Sequence, residues 1–438
     1  MKLTRLLTDY GMLIVLGLLC AFFSVTTYSD QTPKGAAAAK QVADSIVQQF
    51  GPKARVLIVA SEQADDAAFV TGMTSDLNAA GARIAATVKG GPKEARDALV
   101  KITTDGGKID AIACTQVTGA WLVFADLKTD FPALGNPRVI MPPSYRWPNF
   151  LKSENLMNIA NQIAVIAIVA IGMTMVIITG GIDLSVGSLL ALSAVLATRF
   201  IRDYAGGLEA SIGGMLLACI AAIIACGLVG AFSGAMITRF TIPPFIVTLA
   251  MMLVGSGLAY TLAKGEAIYQ IPDSFVWLGR GADAFSLPNA VVLMIVLYAL
   301  AHVLMSRTKL GRYLYAVGGN SESARLSGVP VKRVLMFAYI ASGLLAGLGG
   351  VIMASQLKSG SATYGNMYEL FVIAAVVVGG TSLSGGEGKM IGTLTGAFTI
   401  AVIQNGMNLT NVESYTQKVV LGLVILGAVL LDKIRQTR

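Results

Sequence analysis

The chain has 438 residues, of which 55% are hydrophobic and only 13% charged, with a mean hydropathy of +0.69. Soluble domains carry roughly 25% charged residues, so a surface wholly in water is excluded. The net charge of +8 does not mark a nucleic-acid binder: the Lys and Arg stand at the ends of apolar runs, not in a basic patch with interleaved aromatics.

Ten apolar runs read as transmembrane helices. They are Gly11–Tyr28, Leu156–Thr179, Leu184–Ile201, Ala210–Thr238, Pro243–Ala263, Pro288–Met305, Val334–Gln356, Glu369–Gly380, Met390–Leu409 and Val419–Leu431. The first follows Lys2 and Arg5 but lacks a small-residue cleavage signal, so it reads as a retained helix. Arg307, Lys309, Arg312, Arg325, Lys332 and Arg333 crowd one short loop, and Lys433, Arg435 and Arg438 follow the last run. Such loops face the cytoplasm. With ten spans these residues, Lys2 and Arg5 all fall on one side, so both termini are expected to be cytoplasmic. Arg199 and Arg202 oppose the trend.

Between the first two runs the composition changes. Residues 29–150 hold 13 Lys/Arg and 12 Asp/Glu, against 20 and 13 in all the rest. Three parts follow: 1–28, the insert 29–150, which the parity of spans puts on the extracytoplasmic, periplasmic side, and 151–438 with nine helices. In the insert, helices are expected at Ala36–Phe50, Asp65–Ala80, Pro92–Thr103 and Ala120–Lys128. Strands are expected at Arg55–Ala60, Arg83–Lys89, Asp110–Cys114 and Arg138–Met141. Continuous apolar strands alternating with helices predict an α/β domain with a parallel sheet covered on both faces. Ligands of such sheets meet the strand carboxyl ends, which makes Glu62, Gln63, Thr115 and Gln116 the candidate cleft. The insert reads either as a docking domain or as a ligand-presenting one. Cys114 is its only cysteine and His302 is the only histidine of the chain, so no metal site is expected.

Three stretches are unusual for plain membrane helices. In Thr179-Gly180-Gly181-Ile182-Asp183-Leu184-Ser185, two glycines and an acid separate two apolar runs. Free backbone at membrane depth survives only beside protein or a water-filled cavity, and a buried acid there is a site candidate. Asp183 can equally N-cap the next helix, and the two roles are compatible. In the loop 306–333, Asn320–Gly328 reads as a short helix capped by Asn320 or Ser321 and stopped by Gly328 and Pro330. The third stretch, Gly379-Gly380-Thr381-Ser382-Leu383-Ser384-Gly385-Gly386-Glu387-Gly388-Lys389, hints at nucleotide binding. A P-loop fails there, because Leu383 stands at its first position and Met390 follows the lysine.

Together these stretches resemble the permease subunit of ribose-type ATP-binding-cassette (ABC) importers. The resemblance implies a polytopic all-α protein of the bacterial plasma (inner) membrane, multi-pass, that is not an enzyme and binds no cofactor. It implies a second permease copy, a separate ATPase subunit carrying ATP and Mg, and a periplasmic sugar-binding protein. By position Asn320, Glu322, Arg325, Ser327 and Gly328 would couple to the ATPase. Import of a monosaccharide such as ribose would proceed by alternating access. Such a route needs amides and hydroxyls, which Asn161, Gln162, Thr174, Thr248, Gln404, Asn405 and Asn408 offer, with Asp183. Their other reading is interhelical bonding. The stretch Gly51–Thr118 resembles one lobe of a periplasmic sugar-binding protein, though Thr115 and Gln116 replace that family's Asn-Asp pair. Two other classes are an ion-coupled secondary transporter, with Asp183 and Glu369 as its acids, and a membrane sensor using the outer lobe.

Overall fold

The computed structural model describes residues 2–284 and 286–436, with side chains from 11 to 284 and from 286 to 430. Arg438 lies outside the described residues, and Lys2, Arg5, Lys433 and Arg435 lie outside the described side chains. The chain divides into two compact units, Met1–Thr27 with Asn149–Arg438, and Tyr28–Pro148.

The larger unit is helical. Five described helices are long and apolar enough to cross a membrane: Ser153–Ile178, Ile212–Phe240, Pro244–Ala263, Asn289–Arg307 and Val331–Leu357. Around them stand Lys2–Thr26, Val186–Tyr204, Tyr368–Val378, Met390–Leu409 and Ser414–Gln436. Ser153–Ile178 is the central helix, with Ile163–Ile178 buried without interruption. An all-round apolar helix is stable only inside other protein or lipid. Val331–Leu357 packs against it and against Ile212–Phe240. Glycines at four-residue spacing set those distances: Gly343 and Gly347 meet Cys226, Gly230 and Ile223, while Gly392 and Gly396 meet Gly379 and Ala375. Leu217, Leu300 and Leu426 are exposed. Arg199 and Arg202, which opposed the charge trend, both bond Asp203, at 3.2 and 2.6 Å. Arg199 also donates to the Leu262 carbonyl at 2.8 Å. That helix end therefore carries less net charge than its arginines suggest.

The smaller unit has a parallel sheet in the order Arg83–Lys89, Arg55–Ala60, Ala111–Cys114, Arg138–Ile140. Strand alternation sends Val56, Ile58 and Ala60 to a core with Val42, Ile46, Phe69 and Met73 of helices Gly35–Phe50 and Ala64–Ala79. Leu57 and Val59 go to the opposite core, with Leu99, Ile112, Phe124 and Leu134. Tyr28–Gln31 pairs antiparallel with Tyr145–Pro148, so a two-stranded ribbon closes the unit at its base. The expected helix Ala120–Lys128 is absent. Single turns at Gln116–Gly119, Leu122–Phe124 and Leu127–Asp130 replace it, because Trp121 is extended (ψ 137°) and breaks the helical run. Those short turns still bring Phe124 and Leu127 into the core.

Candidate functional site

Two breaks in the helical unit share one turn chemistry. Helix Ser153–Ile178 ends in a Schellman motif: Gly181 N–H donates to Val176 O (3.1 Å) and Gly180 N–H to Ile177 O (2.9 Å). Gly180 has φ +80°, a left-handed conformation open to glycine. The Asp183 carboxylate then accepts from Ser185 N–H (3.0 Å) and Ser185 Oγ (2.6 Å), and from Ser342 Oγ (2.7 Å) on helix Val331–Leu357. Asp183 is 2% exposed. The expected helix cap is corrected here. Helix Val186–Tyr204 starts after Ser185, so Asp183 holds an Asx turn just before it and ties that turn to a third helix.

The second break follows Tyr368–Val378 in the same way. Thr381 N–H donates to Val376 O (3.1 Å) and Gly380 N–H to Val377 O (2.8 Å). Ser384 N–H donates to Ser382 Oγ (3.2 Å), the hydroxyl counterpart of the Asp183 turn. The two breaks touch where Gly386 N–H donates to Ile178 O (2.8 Å). Helix Lys309–Gly319 closes over them: Tyr315 OH donates to Gly388 O (2.8 Å). A Cβ on Gly318 would overlap both Ile178 O and Gly386 N.

That helix was read from sequence as loop. Its cations obscured Leu314 and Val317, which are buried three residues apart. It runs into helix Ser321–Leu326, whose cap is Asn320: its Oδ1 accepts Ser323 N–H at 2.8 Å. Gly328, at φ +83°, follows its end and Ser327. Glu322 and Arg325 form an exposed pair (Nε–Oε2 3.1 Å). The guanidinium holds the Glu322 carboxyl below its ordinary value. Leu326 beside them is 75% exposed.

The eight pathway candidates do not gather. Asn161 donates to Gly279 O (3.1 Å), and Gln356 donates to the Asn161 carbonyl (2.9 Å). Thr174 bonds Thr393 (2.8 Å), and Thr248 donates to Ile182 O (3.1 Å). Asn405 forms a reciprocal amide pair with Asn155, at 2.8 and 3.0 Å. Asn408 accepts from Gln417 (2.8 Å). Gln162 is exposed and Gln404 half-buried. Bridging between helices absorbs most of these polar groups.

What the sequence reading missed is a cavity of about 250 Å³ between helices Val186–Tyr204 and Pro244–Ala263 and the segment 362–369, open on the side where Leu253, Tyr260 and Met367 are exposed. Glu369, Asn366, Ser256 and Tyr260 help line it. The usable signal was Gly365 and Asn366 just ahead of an acid in an apolar run.

In the smaller unit, Gln63, Thr115 and Gln116 line a cleft of about 60 Å³ at the strand ends, while Glu62 lies outside it. That is the volume of roughly two waters. Thr115 is spent on capping Thr118 N–H (3.3 Å), and Asp66 on Ser61 N–H (2.8 Å) and Oγ (2.6 Å). Burial pushes the Cys114 thiol up to about 12, so it is no nucleophile.

Tightly packed apolar helices, broken twice by ordered glycine turns, define a polytopic membrane protein. Residues 155–429 match the family described as branched-chain amino acid transport system / permease component, and the chain belongs to that family. The match leaves unit Tyr28–Pro148 outside it. The chain is 42% identical to the ribose import permease protein of Escherichia coli over 66% of its own length and 88% of that protein. It is 41% identical to the ribose import permease protein of Bacillus subtilis, over 69% and 92%. It is 37% identical to the L-arabinose transport system permease protein of Escherichia coli, over 66% and 85%. No solved structure matches the chain. It is a multi-pass permease, a transport component and not an enzyme.

Proposed function

We propose that this chain is the membrane subunit of an ABC importer for a monosaccharide such as ribose. It works as a pair of copies with a separate ATPase subunit, and a periplasmic sugar-binding protein delivers the sugar. The five long helices and the five around them are its ten spans, with both termini cytoplasmic and residues 28–148 on the periplasmic side.

The observation that carries this reading is the linkage at Gly318. Helix Ser321–Leu326 exposes Glu322, Arg325 and Leu326, a small amphiphilic face suited to a protein partner. It joins helix Lys309–Gly319, whose Gly318 has backbone from both breaks against it. A push on the exposed helix would reach both breaks through backbone, with little slack for side chains to absorb. Alternating access needs such a rigid lever. Asn320, Ser327 and Gly328 shape the lever's ends, and Glu322 and Arg325 make its contacts.

The smaller unit is read as one lobe like half of a periplasmic sugar-binding protein. Its strand order and its helices on both sheet faces support that likeness. Its narrow cleft, with Thr115 and Asp66 already hydrogen-bonded, supports docking over sugar capture.

Purified chain, reconstituted in liposomes with a genetically adjacent ATPase and sugar-binding protein, is expected to show ATP hydrolysis stimulated by ribose or a related monosaccharide. Failure to bind any such ATPase would sink the reading.

A further inference from the structure

The cavity of about 250 Å³ is lined by none of the eight pathway residues proposed from sequence. It is smaller than the roughly 300–1,000 Å³ of drug-sized sites and equals about eight waters, which suits one sugar ring.

Its lining has the chemistry of a polyol site. The Glu369 carboxylate, half-buried, has only its own backbone N–H as partner among the described residues. The Asn366 amide, the Ser256 hydroxyl and the Tyr260 ring face the same space. Carboxylate and amide oxygens accept from sugar hydroxyls, the amide N–H and serine donate back, and an aromatic face covers the apolar C–H side of a ring. Glycine at 187 makes room, because a Cβ there would overlap Glu369 Oε2. Among the described residues no Lys or Arg lines the cavity, so an amino acid's carboxylate would find no cationic side chain from them there. A neutral ligand avoids that cost.

We propose that this cavity holds one monosaccharide ring in transit, with Glu369 accepting hydrogen bonds from its hydroxyls. The proposal rests on the reading of the chain as a sugar permease and assigns that reading a site.

The test is uptake of labelled D-ribose, L-arabinose, D-allose and L-leucine by vesicles holding the full chain with its ATPase and binding protein. Glu369→Gln is expected to lower sugar uptake roughly tenfold or more, the scale of losing a hydrogen bond to a charged group. Ser256→Leu, which fills the cavity from a membrane helix, is expected to abolish it. ATPase assembly and basal ATP hydrolysis should be unchanged in both. Sugar uptake at the wild-type rate in both variants overturns the site and leaves the permease reading standing. Leucine uptake without sugar uptake in the wild type overturns both. If either variant fails to assemble, Ser256→Cys labelled with a maleimide decides. Protection by D-ribose supports the site, and labelling unaffected by D-ribose overturns it.

Discussion

The breaks at Gly180–Ser185 and Gly379–Lys389 start from the same local chemistry and end in different roles. Each closes a helix with a left-handed glycine and then a side-chain turn spanning two residues. In the first the acceptor is a carboxylate, which reaches on to Ser342 and pins a third helix. In the second it is a hydroxyl, and the glycines after it form a surface on which Lys309–Gly319 rests. One break is thus an anchor and the other a bearing. Local sequence decides that a turn forms; in the first break the second carboxylate oxygen of Asp183 fastens it to Ser342.

The comparison can be broken at its contact point. Gly318→Ala drives a methyl group into backbone on both sides, which cannot rotate away. It is expected to cost about 3 kcal/mol, seen as a lower melting temperature in detergent and as lost ATPase coupling. Near-wild-type stability would mean the two breaks are not fastened there.

The anchor and the bearing can then be weighed against each other. Asp183→Ala strands the Ser185 amide and the Ser342 hydroxyl in a buried site, at an expected cost of about 2–3 kcal/mol. Ser382→Ala removes one hydroxyl acceptor and is expected to cost about 1 kcal/mol. Equal losses in chemical unfolding of the two variants would erase the distinction.

The smallest effect concerns the exposed lever. Arg325 holds the Glu322 carboxyl below its ordinary value. A depressed carboxyl contributes above its unfolded value, and loses that contribution only as pH falls through the lowered folded value. ATPase binding is therefore expected to be flat from pH 8 to pH 5. Loss of binding within that range, tracked by co-purification and removed by Glu322→Gln, would contradict it.

The smaller unit offers a further contrast, since its ribbon pairs Gln31 with Tyr145. Replacing residues 32–144 by Asn-Gly, a turn that closes such ribbons, is expected to leave the melting temperature of the helical unit within a few degrees. A large drop would show that the helical unit depends on the insert.

Much of this was legible in sequence because turn and cap chemistry is local. Gly180-Gly181, Asn320 and Gly328 announced their roles within a few residues of chain. The strand Arg55–Ala60 was equally plain from its unbroken apolar run. The partners of Asp183, Thr174 and Asn405 were not, because Ser342, Thr393 and Asn155 lie more than 150 residues away. The cavity was hidden for the same reason: Ser256 and Glu369, far apart in the chain, line one space only through packing around Gly187 and Gly365.

The most direct test of the account is ATP-driven D-ribose uptake by vesicles carrying the ATPase, the sugar-binding protein and either wild-type chain or the double variant Glu322→Ala, Arg325→Ala. The account predicts uptake by the wild type and its loss in the double variant, with the melting temperature unchanged, since an exposed ion pair adds little to stability. Equal uptake by the two, or none by the wild type, would contradict it.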